Sequence, residues 1–333
     1  MNDKLSPGTR RTLLLALGAV PLCAVLPSLA QPPGKVWRVG VLSARARRDG
    51  DPYLAFPPAM RELGYVEGRN LAIEWRYADD RLERLPALAE ELARLKVDVI
   101  VASTAAAAQA AQNATRAIPI VMVNVGDPVG SGLVKSLAWP GGNMTGLSNI
   151  SADLSPKHLE MLLRVLPRLS RVAMLVNPGN PGHRISLDNL RTAAQARKVT
   201  VLPFEARTPA EIESAFSGMA REKAGALVIG ADPIYNLQFP RIAALAAKGR
   251  LPAVAVNREF TEAGGLMSYG ADFTGNWRRA AAYADKIFKG AKPADLPVEQ
   301  PTRFEMIVNR RAAKALGVAI PQELVLSADR VIE

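Results

Sequence analysis

The sequence has few of the residues from which metal centres and covalent active sites are built. Its 333 residues include a single cysteine, Cys23, and two histidines, His158 and His183. One cysteine cannot form an intramolecular disulfide, and it argues against zinc or iron–sulfur sites with several thiolate ligands. Two histidines argue equally against a multi-histidine metal centre. We therefore expect neither a metal nor another cofactor.

Familiar catalytic motifs are missing as well. The sequence has no G-x-S-x-G nucleophile elbow, no Walker phosphate loop and no H-E-x-x-H metal motif. Gly141, Gly142 and Gly146 lack the dinucleotide-binding spacing and follow a predicted helix, whereas that motif follows a strand. His158 stands beside Lys157 on a predicted helix, which favours a surface residue over a catalytic base. We therefore do not expect an enzyme.

Positive charge is in excess, but it is not concentrated. The sequence has 42 lysines and arginines against 31 aspartates and glutamates, for a formal net charge of +11. A nucleic-acid-binding surface gathers such charge on one face among aromatic side chains. Here the basic residues are scattered and aromatic residues make up only 5%. We expect a basic, soluble surface and no nucleic-acid partner.

The first 30 residues have the pattern of an export signal. Arg10 and Arg11 precede a 14-residue apolar run, and residues 28–30 supply the small side chains of a cleavage site. The alternative, an uncleaved anchor, is disfavoured because a membrane-spanning helix needs roughly 20 apolar residues. Leu22 before Cys23 does not suit a lipoprotein signal, which needs a small residue there. The export route, Sec or twin-arginine, stays open.

Beyond the signal, apolar strands alternate with amphipathic helices. The first set comprises strands at 36–42, 70–77, 97–102 and 118–123 and helices at 52–63, 81–95 and 104–116. The second set comprises strands at 171–176, 199–205, 225–229 and 252–256 and helices at 157–166, 186–198, 209–222 and 238–248. Apolar strands separated by helices predict parallel sheets covered on both faces. The fold class is therefore α/β, with two doubly wound parallel-sheet lobes.

Extended segments are expected to connect the two lobes. They lie near residues 145–149, 266–269 and 297–308, and several crossings between two α/β lobes make a hinge. We assign residues 1–30 to the signal peptide, 36–147 and about 271–296 to lobe 1, and 148–268 and about 300–333 to lobe 2.

Polar residues follow nearly every predicted strand. In an open parallel sheet, ligands bind beyond the carboxyl ends of the strands. Lobe 1 places Ser43, the pair Ser103-Thr104 and Asp127 there, and lobe 2 places Asn177, Asp232 and the run Asn257-Arg258-Glu259 there. Each of these residues taken singly is also explained as a turn or helix-cap residue. Taken together, they indicate a polar cleft between the lobes.

Several longer segments resemble one known family. They are Arg61 to Asn70, Ile118 to Val123, Gly126 to Leu133, Arg258 to Gly270 and Lys289 to Thr302. From about Val36 to Glu333, the sequence is similar to the ABC transporter substrate-binding proteins whose characterised members bind tryptophan or tyrosine. This likeness is far more specific than any short motif considered above.

The resemblance implies a type I periplasmic binding protein fold, in which two lobes joined by three crossings enclose a ligand. It implies two partners, a small-molecule ligand and an ABC permease with a cytoplasmic ATPase, and a periplasmic location. We expect a monomer, since the protein must dock on a permease while its lobes move. The family's ligand contacts come from strand-end loops, and the matching positions are Ser43, Ser103, Thr104, Asp127, Asn149, Asn177, Asp232 and Tyr269. Glu259 is a weaker candidate.

An amino-acid ligand leads to definite hypotheses for these positions. The start of the helix at Ser103-Thr104 suits a carboxylate, Asp127 or Asp232 suits an ammonium group, and Tyr269 suits a side chain. The ligand would act by stabilising a closed hinge. Two alternatives stay open: a ligand-sensing module that serves a receptor, and a soluble α/β enzyme with an active site between the lobes.

Overall fold

The computed structural model describes residues 35–47 and 52–333. The predicted signal peptide therefore lies outside the described residues, as does Arg48. Val36–Glu333 form one compact unit. In the described part of the chain the strands are β1 Trp37–Ser43, β2 Leu71–Tyr77, β3 Val99–Ser103, β4 Ile120–Gly126, β5 Met144–Asn149, β6 Arg171–Val176, β7 Thr200–Glu205, β8 Ala226–Ile229, β9 Ala253–Ala255, β10 Met267–Ala271, β11 Phe304–Asn309 and β12 Arg330–Ile332.

Helices separate most of these strands. They are α1 Phe56–Glu62, α2 Leu85–Arg94, α3 Thr104–Ala114, α4 Ser155–Val165, α5 Pro181–Ala196, α6 Pro209–Arg221, α7 Pro233–Leu237, α8 Phe239–Lys248, α9 Arg258–Glu262, α10 Phe273–Phe288, α11 Arg310–Leu316 and α12 Gln322–Ser327. Several begin with proline at the first or second position, where its missing N–H costs no hydrogen bond. None of the described helices is long and apolar enough to cross a membrane.

The first sheet is entirely parallel and has the strand order β2-β1-β3-β4-β5 within the described residues. Both of its faces are covered, so the side chains of β3 alternate between two cores. Ile100 packs with Leu92 of α2 on one face, and Val101 packs with Trp277 of α10 on the other. Burial on both faces explains why this strand is a continuous apolar run, as the sequence predicts.

The second sheet has the order β12-β11-β10-β9-β8-β6-β7 and is parallel except for the antiparallel pair β10–β11. Its two faces also carry separate cores. Met174 of β6 packs with Leu162 of α4 on one face, and Leu175 packs with Phe216 of α6 on the other. The structure therefore has the two α/β lobes expected from the sequence. The antiparallel strand was not predicted.

The chain passes between the two sheets more than once. It leaves the first sheet after Asn149, returns after Ala271 when α10 packs against α1 and β4, and leaves again after Glu299 to enter β11. Residues 145–149 lie in β5 and residues 267–269 lie in β10, and the passages begin where these two strands end. Backbone bonds join these segments: Ser148 N–H donates to Glu299 O at 2.9 Å, and Asp272 N–H donates to Arg303 O at 3.1 Å.

Gly146 allows β5 to approach β4. Its φ is +132°, in the region that favours glycine, and an added Cβ would lie 2.1 Å from the backbone oxygen of Met122. The register between β4 and β5 also shifts beyond Met122. A side chain at this position would therefore push the two strands apart.

We expect Gly146→Ala to lower the free energy of unfolding by at least about 2 kcal/mol, since it adds both a backbone clash and an unfavourable φ. Urea denaturation would measure the change. Gly142→Ala is the matched control, because no atom lies within 4 Å of the Cβ it would add, and its stability should stay within about 0.5 kcal/mol of wild type. Equal stabilities for the two variants would contradict the close approach of β5 to β4 at Gly146.

Candidate functional site

The carboxyl ends of β1 and β3 bring two predicted site residues side by side. Ser43 and Ser103 are register partners in the parallel sheet. The Ser43 hydroxyl is buried and accepts a hydrogen bond from Arg45 N–H at 3.1 Å, so it stabilises a local turn. The Ser103 side chain makes no hydrogen bond to the described residues, and it gives no cap to α3. Ser103 therefore keeps a hydroxyl for another partner.

Backbone strain is concentrated at this edge of the first sheet. Thr104 at the start of α3 has φ +77°, Asn124 near the end of β4 has +59° and Asp127 just beyond it has +39°. A β-branched residue such as threonine rarely adopts positive φ. The Thr104 hydroxyl accepts a weak hydrogen bond from Ala107 N–H at 3.4 Å. Strain of this kind is typical of sites where a ligand contacts the backbone.

Asp127 and Asn149 both have local structural partners. The Asp127 carboxylate is exposed and accepts a hydrogen bond from Gly130 N–H at 2.8 Å. Asn149 donates to the Asn124 carbonyl at 2.7 Å and accepts from Ser151 N–H at 3.1 Å. Asp127 therefore caps the turn that follows β4, which was one of its two interpretations from the sequence.

In the second sheet, Asn177 and Asp232 belong to one buried network. Asp232 Oδ2 accepts from the Asn177 amide at 3.1 Å and from the Asn180 amide at 2.9 Å, and Oδ1 accepts from Ile234 N–H at 2.9 Å. His183 Nδ1 accepts from Asn177 N–H at 2.6 Å. Burial lowers the pKa of His183, although the nearby Asp232 carboxylate opposes this shift. The network holds the loops after β6 and β8 together.

Tyr269 lies on β10 and is supported by two aromatic rings. It stacks on Phe304 of β11 at a centroid distance of 5.7 Å, and His158 of α4 donates from Nε2 to the Tyr269 carbonyl at 2.8 Å. The expectation that His158 is a surface residue is wrong, because only 1% of it is exposed. Helix α4 packs against β8 and β9, and this hydrogen bond also ties His158 to β10.

A narrow pocket, partly open to solvent, lies between elements of the two lobes. From the first lobe it is lined by Pro52, Phe273 and Thr274. The second sheet lines it with Val256, Asn257, Arg258 and Glu259 after β9, with Gly270 and Ala271 at the end of β10, and with Glu305 of β11. Asp272, which also lines it, begins the passage to the first lobe. Several polar residues follow predicted strands. Of these, only residues 257–259 line this pocket.

The pocket is rich in charge. Arg258 lines it together with three carboxylate residues, Glu259, Asp272 and Glu305. Burial raises the pKa of Glu305, and the positive charge of Arg258 partly offsets this rise. Sequence reasoning missed Asp272, which begins the passage after β10, and Glu305, which lies in the unpredicted strand β11. Among the described residues, no group of three or more His, Cys, Asp or Glu side chains could hold a metal ion.

Two α/β lobes with polar loops at the strand ends and a pocket between them are typical of extracytoplasmic solute-binding proteins. Residues 53–332 match the family described as ABC transporter substrate binding protein. The chain therefore belongs to this family of solute-binding proteins, which are not enzymes. This confirms the resemblance found in the sequence.

Individual relatives agree with this assignment. A tyrosine-binding protein of Clostridioides difficile (strain R20291) is 30% identical over 264 residues, which cover 79% of this chain and 75% of the relative. A Streptococcus pneumonia structure in complex with L-Trp has a TM-score of 0.82 at 25% identity, covering 89% of this chain and 99% of that one. The ligand-free, open structure of a Clostridium difficile substrate-binding protein with adhesive properties has a TM-score of 0.71 at 26% identity, with the same coverage. These likenesses confirm the type I periplasmic binding protein fold.

His158 should make stability depend on pH. Burial lowers its pKa from 6.5 to about 4, so between these values the unfolded chain binds a proton there that the folded chain does not. The resulting stability is fully present above about pH 6.5 and is lost as the pH falls towards 4, by about 3 kcal/mol in all. Urea denaturation of wild type and His158→Gln at pH 7 and pH 4 would measure it. The stability gap between them should shrink on acidification, and a constant gap would contradict a buried neutral His158.

Proposed function

We propose that this protein is the solute-binding component of an ABC importer and captures an amino acid or an aromatic relative between its lobes. The observation that carries the proposal is the charged pocket lined by residues of both lobes at the strand ends. The relatives support the ligand class, since one is named tyrosine-binding and another was solved in complex with L-Trp.

Hinge closure is the proposed mechanism. We propose lobe 1 as residues 36–147 and about 271–296 and lobe 2 as residues 148–268 and about 300–333, joined where the chain passes between the sheets. A ligand that contacts both lobes stabilises the closed arrangement only through its higher affinity for that state. In support, the described conformation is more similar to the L-Trp complex than to the ligand-free, open relative, with TM-scores of 0.82 and 0.71.

The cleft wall is proposed to include Ser43, Ser103, Thr104, Asp127, Asn149, Asn177, Asp232 and Tyr269. These positions contribute in different ways. Ser103 offers a free hydroxyl beside the strained backbone of Thr104. Tyr269 offers a ring already held by Phe304. The Asp232 network fixes the position of the loop that carries Asn177.

Partners and location follow from the same proposal. Family members work with ABC transporters outside the cytoplasm, and we propose a permease with a cytoplasmic ATPase as the partner here. Export through residues 1–30, by the Sec or twin-arginine route, would place the mature protein in the periplasm. We propose that it is monomeric there.

Thermal unfolding against a ligand panel tests the proposal. The purified protein would first be unfolded and refolded to remove carried-over ligand, and then heated with amino acids, small carboxylates or aromatic metabolites. A ligand at about 100 times its Kd should add roughly 2.7 kcal/mol and raise Tm by several degrees. We expect L-tyrosine, L-tryptophan or a close relative to produce this shift.

Glycerol and free phosphate serve as negative controls in the same panel, since neither combines an ammonium group with an aromatic ring. A protein that unfolds cooperatively but shifts with no amino acid would overturn the proposed ligand class. A rise in Tm with a different solute and with no amino acid would support the binding role but overturn the proposed ligand class.

A further inference from the structure

The loop after β9 places three polar residues in the pocket whose side chains have no hydrogen-bond or ion-pair partner among residues 35–47 and 52–333. Asn257 is 8% exposed, lines the pocket, and makes no side-chain hydrogen bond with the described residues. An unpaired amide that lines a cavity is therefore positioned to bind what enters it.

Glu259 presents the stronger anomaly. Its Oε2 atom is buried and has no hydrogen-bond partner in the described structure. A buried carboxylate oxygen without a partner loses hydration and regains nothing from the protein. A cationic donor from a ligand would supply the missing hydrogen bond.

Arg258 completes the set with the opposite charge. It makes no ion pair with any described residue, and its positive charge lowers the pKa of Glu305, another residue that lines the pocket. The adjacent residues 258 and 259 thus present an unpaired cation and an unpaired anion to one cavity. A ligand that carries both charges a few ångströms apart matches this arrangement.

The other carboxylates considered for an ammonium group are already engaged. Asp127 accepts from Gly130 N–H, and Asp232 accepts from two asparagine amides and Ile234 N–H. Asp272 accepts from Gly275 N–H at 2.9 Å at the start of α10. A ligand ammonium at Asp232 would compete for oxygens that already accept three bonds, whereas Glu259 accepts none from the described residues.

We infer that residues 257–259 recognise the charged main chain of an α-amino acid, with Glu259 accepting from its ammonium group, Arg258 donating to its carboxylate, and the Asn257 amide completing the contacts. The inference rests on the proposed function and makes it specific. It moves recognition of the ammonium group from Asp127 or Asp232 to Glu259, and recognition of the carboxylate from Ser103-Thr104 to Arg258.

The test pairs variants with ligand analogues. Calorimetry would measure the affinity of wild type, Glu259→Gln and Arg258→Gln for L-tyrosine and for two analogues. The first analogue, 3-(4-hydroxyphenyl)propionate, lacks the ammonium group, and the second, tyramine, lacks the carboxylate. Affinity for L-tryptophan would be measured in parallel. Glu259→Gln should weaken L-tyrosine binding at least about tenfold and change binding of the propionate less than about twofold. Arg258→Gln should weaken binding of L-tyrosine and of the propionate but leave the affinity for tyramine nearly unchanged.

Glu262→Gln is the matched control. Glu262 lies on the same short helix, is exposed, and pairs with Arg330 at 2.7 Å outside the pocket. Loss of the Glu262 charge should leave the affinity for L-tyrosine within about twofold of the wild-type value. The ligand-free Glu259→Gln protein should be at least as stable as wild type, because the change removes an unpaired buried charge.

The outcomes separate this inference from the proposed function. Wild-type protein that binds L-tyrosine or L-tryptophan together with an unaffected Glu259→Gln variant would overturn the inference alone. Wild-type protein that binds neither amino acid would overturn both. If Glu259→Gln did not fold, equal wild-type affinity for L-tyrosine and for the propionate would still overturn the role of Glu259.

Discussion

Parallel strand pairing governs where polar residues can act in this protein. Parallel strands must be joined by crossovers, so the carboxyl ends of β1, β3 and β4 meet at one edge of their sheet, and those of β6, β8 and β9 meet at one edge of theirs. Residues far apart in sequence thereby become neighbours. Ser43 pairs with Ser103, and the loop carrying Asn177 bonds to Asp232.

The same edges explain why many polar residues are not free for a ligand. Loops that turn from strand to helix must satisfy their own N–H groups, and short polar side chains do so most directly. Asp127, Asn149 and Asp232 are used in this way. In the part of the chain that the structure describes, the side chains of Ser103, Arg258 and Glu259 have no such partner. Free hydrogen-bonding capacity, rather than polarity alone, distinguishes a binding residue from a cap.

Helix α10 connects the two lobes, since it follows β10 of the second sheet and packs in the core of the first lobe. Trp277 and Tyr283 fill the core beneath β3 and β4, while residues 270–272, at the end of β10 and the start of the passage to the first lobe, line the pocket. A ligand in this pocket therefore touches the passage between lobes as well as strand ends. Contact with such a passage is a direct way for binding to bias the angle of a hinge.

The sequence by itself determined the α/β class, the two lobes and the family. Apolar runs, helical spacing and long shared segments are local in the chain, so they can be read without coordinates. Only the tertiary structure decided that His158 is buried beneath Tyr269, that β11 runs antiparallel to β10, and which carboxylates are engaged. These facts depend on partners that are distant in sequence, such as residues 158 and 269, and no local pattern encodes the distance between two side chains that only folding brings together.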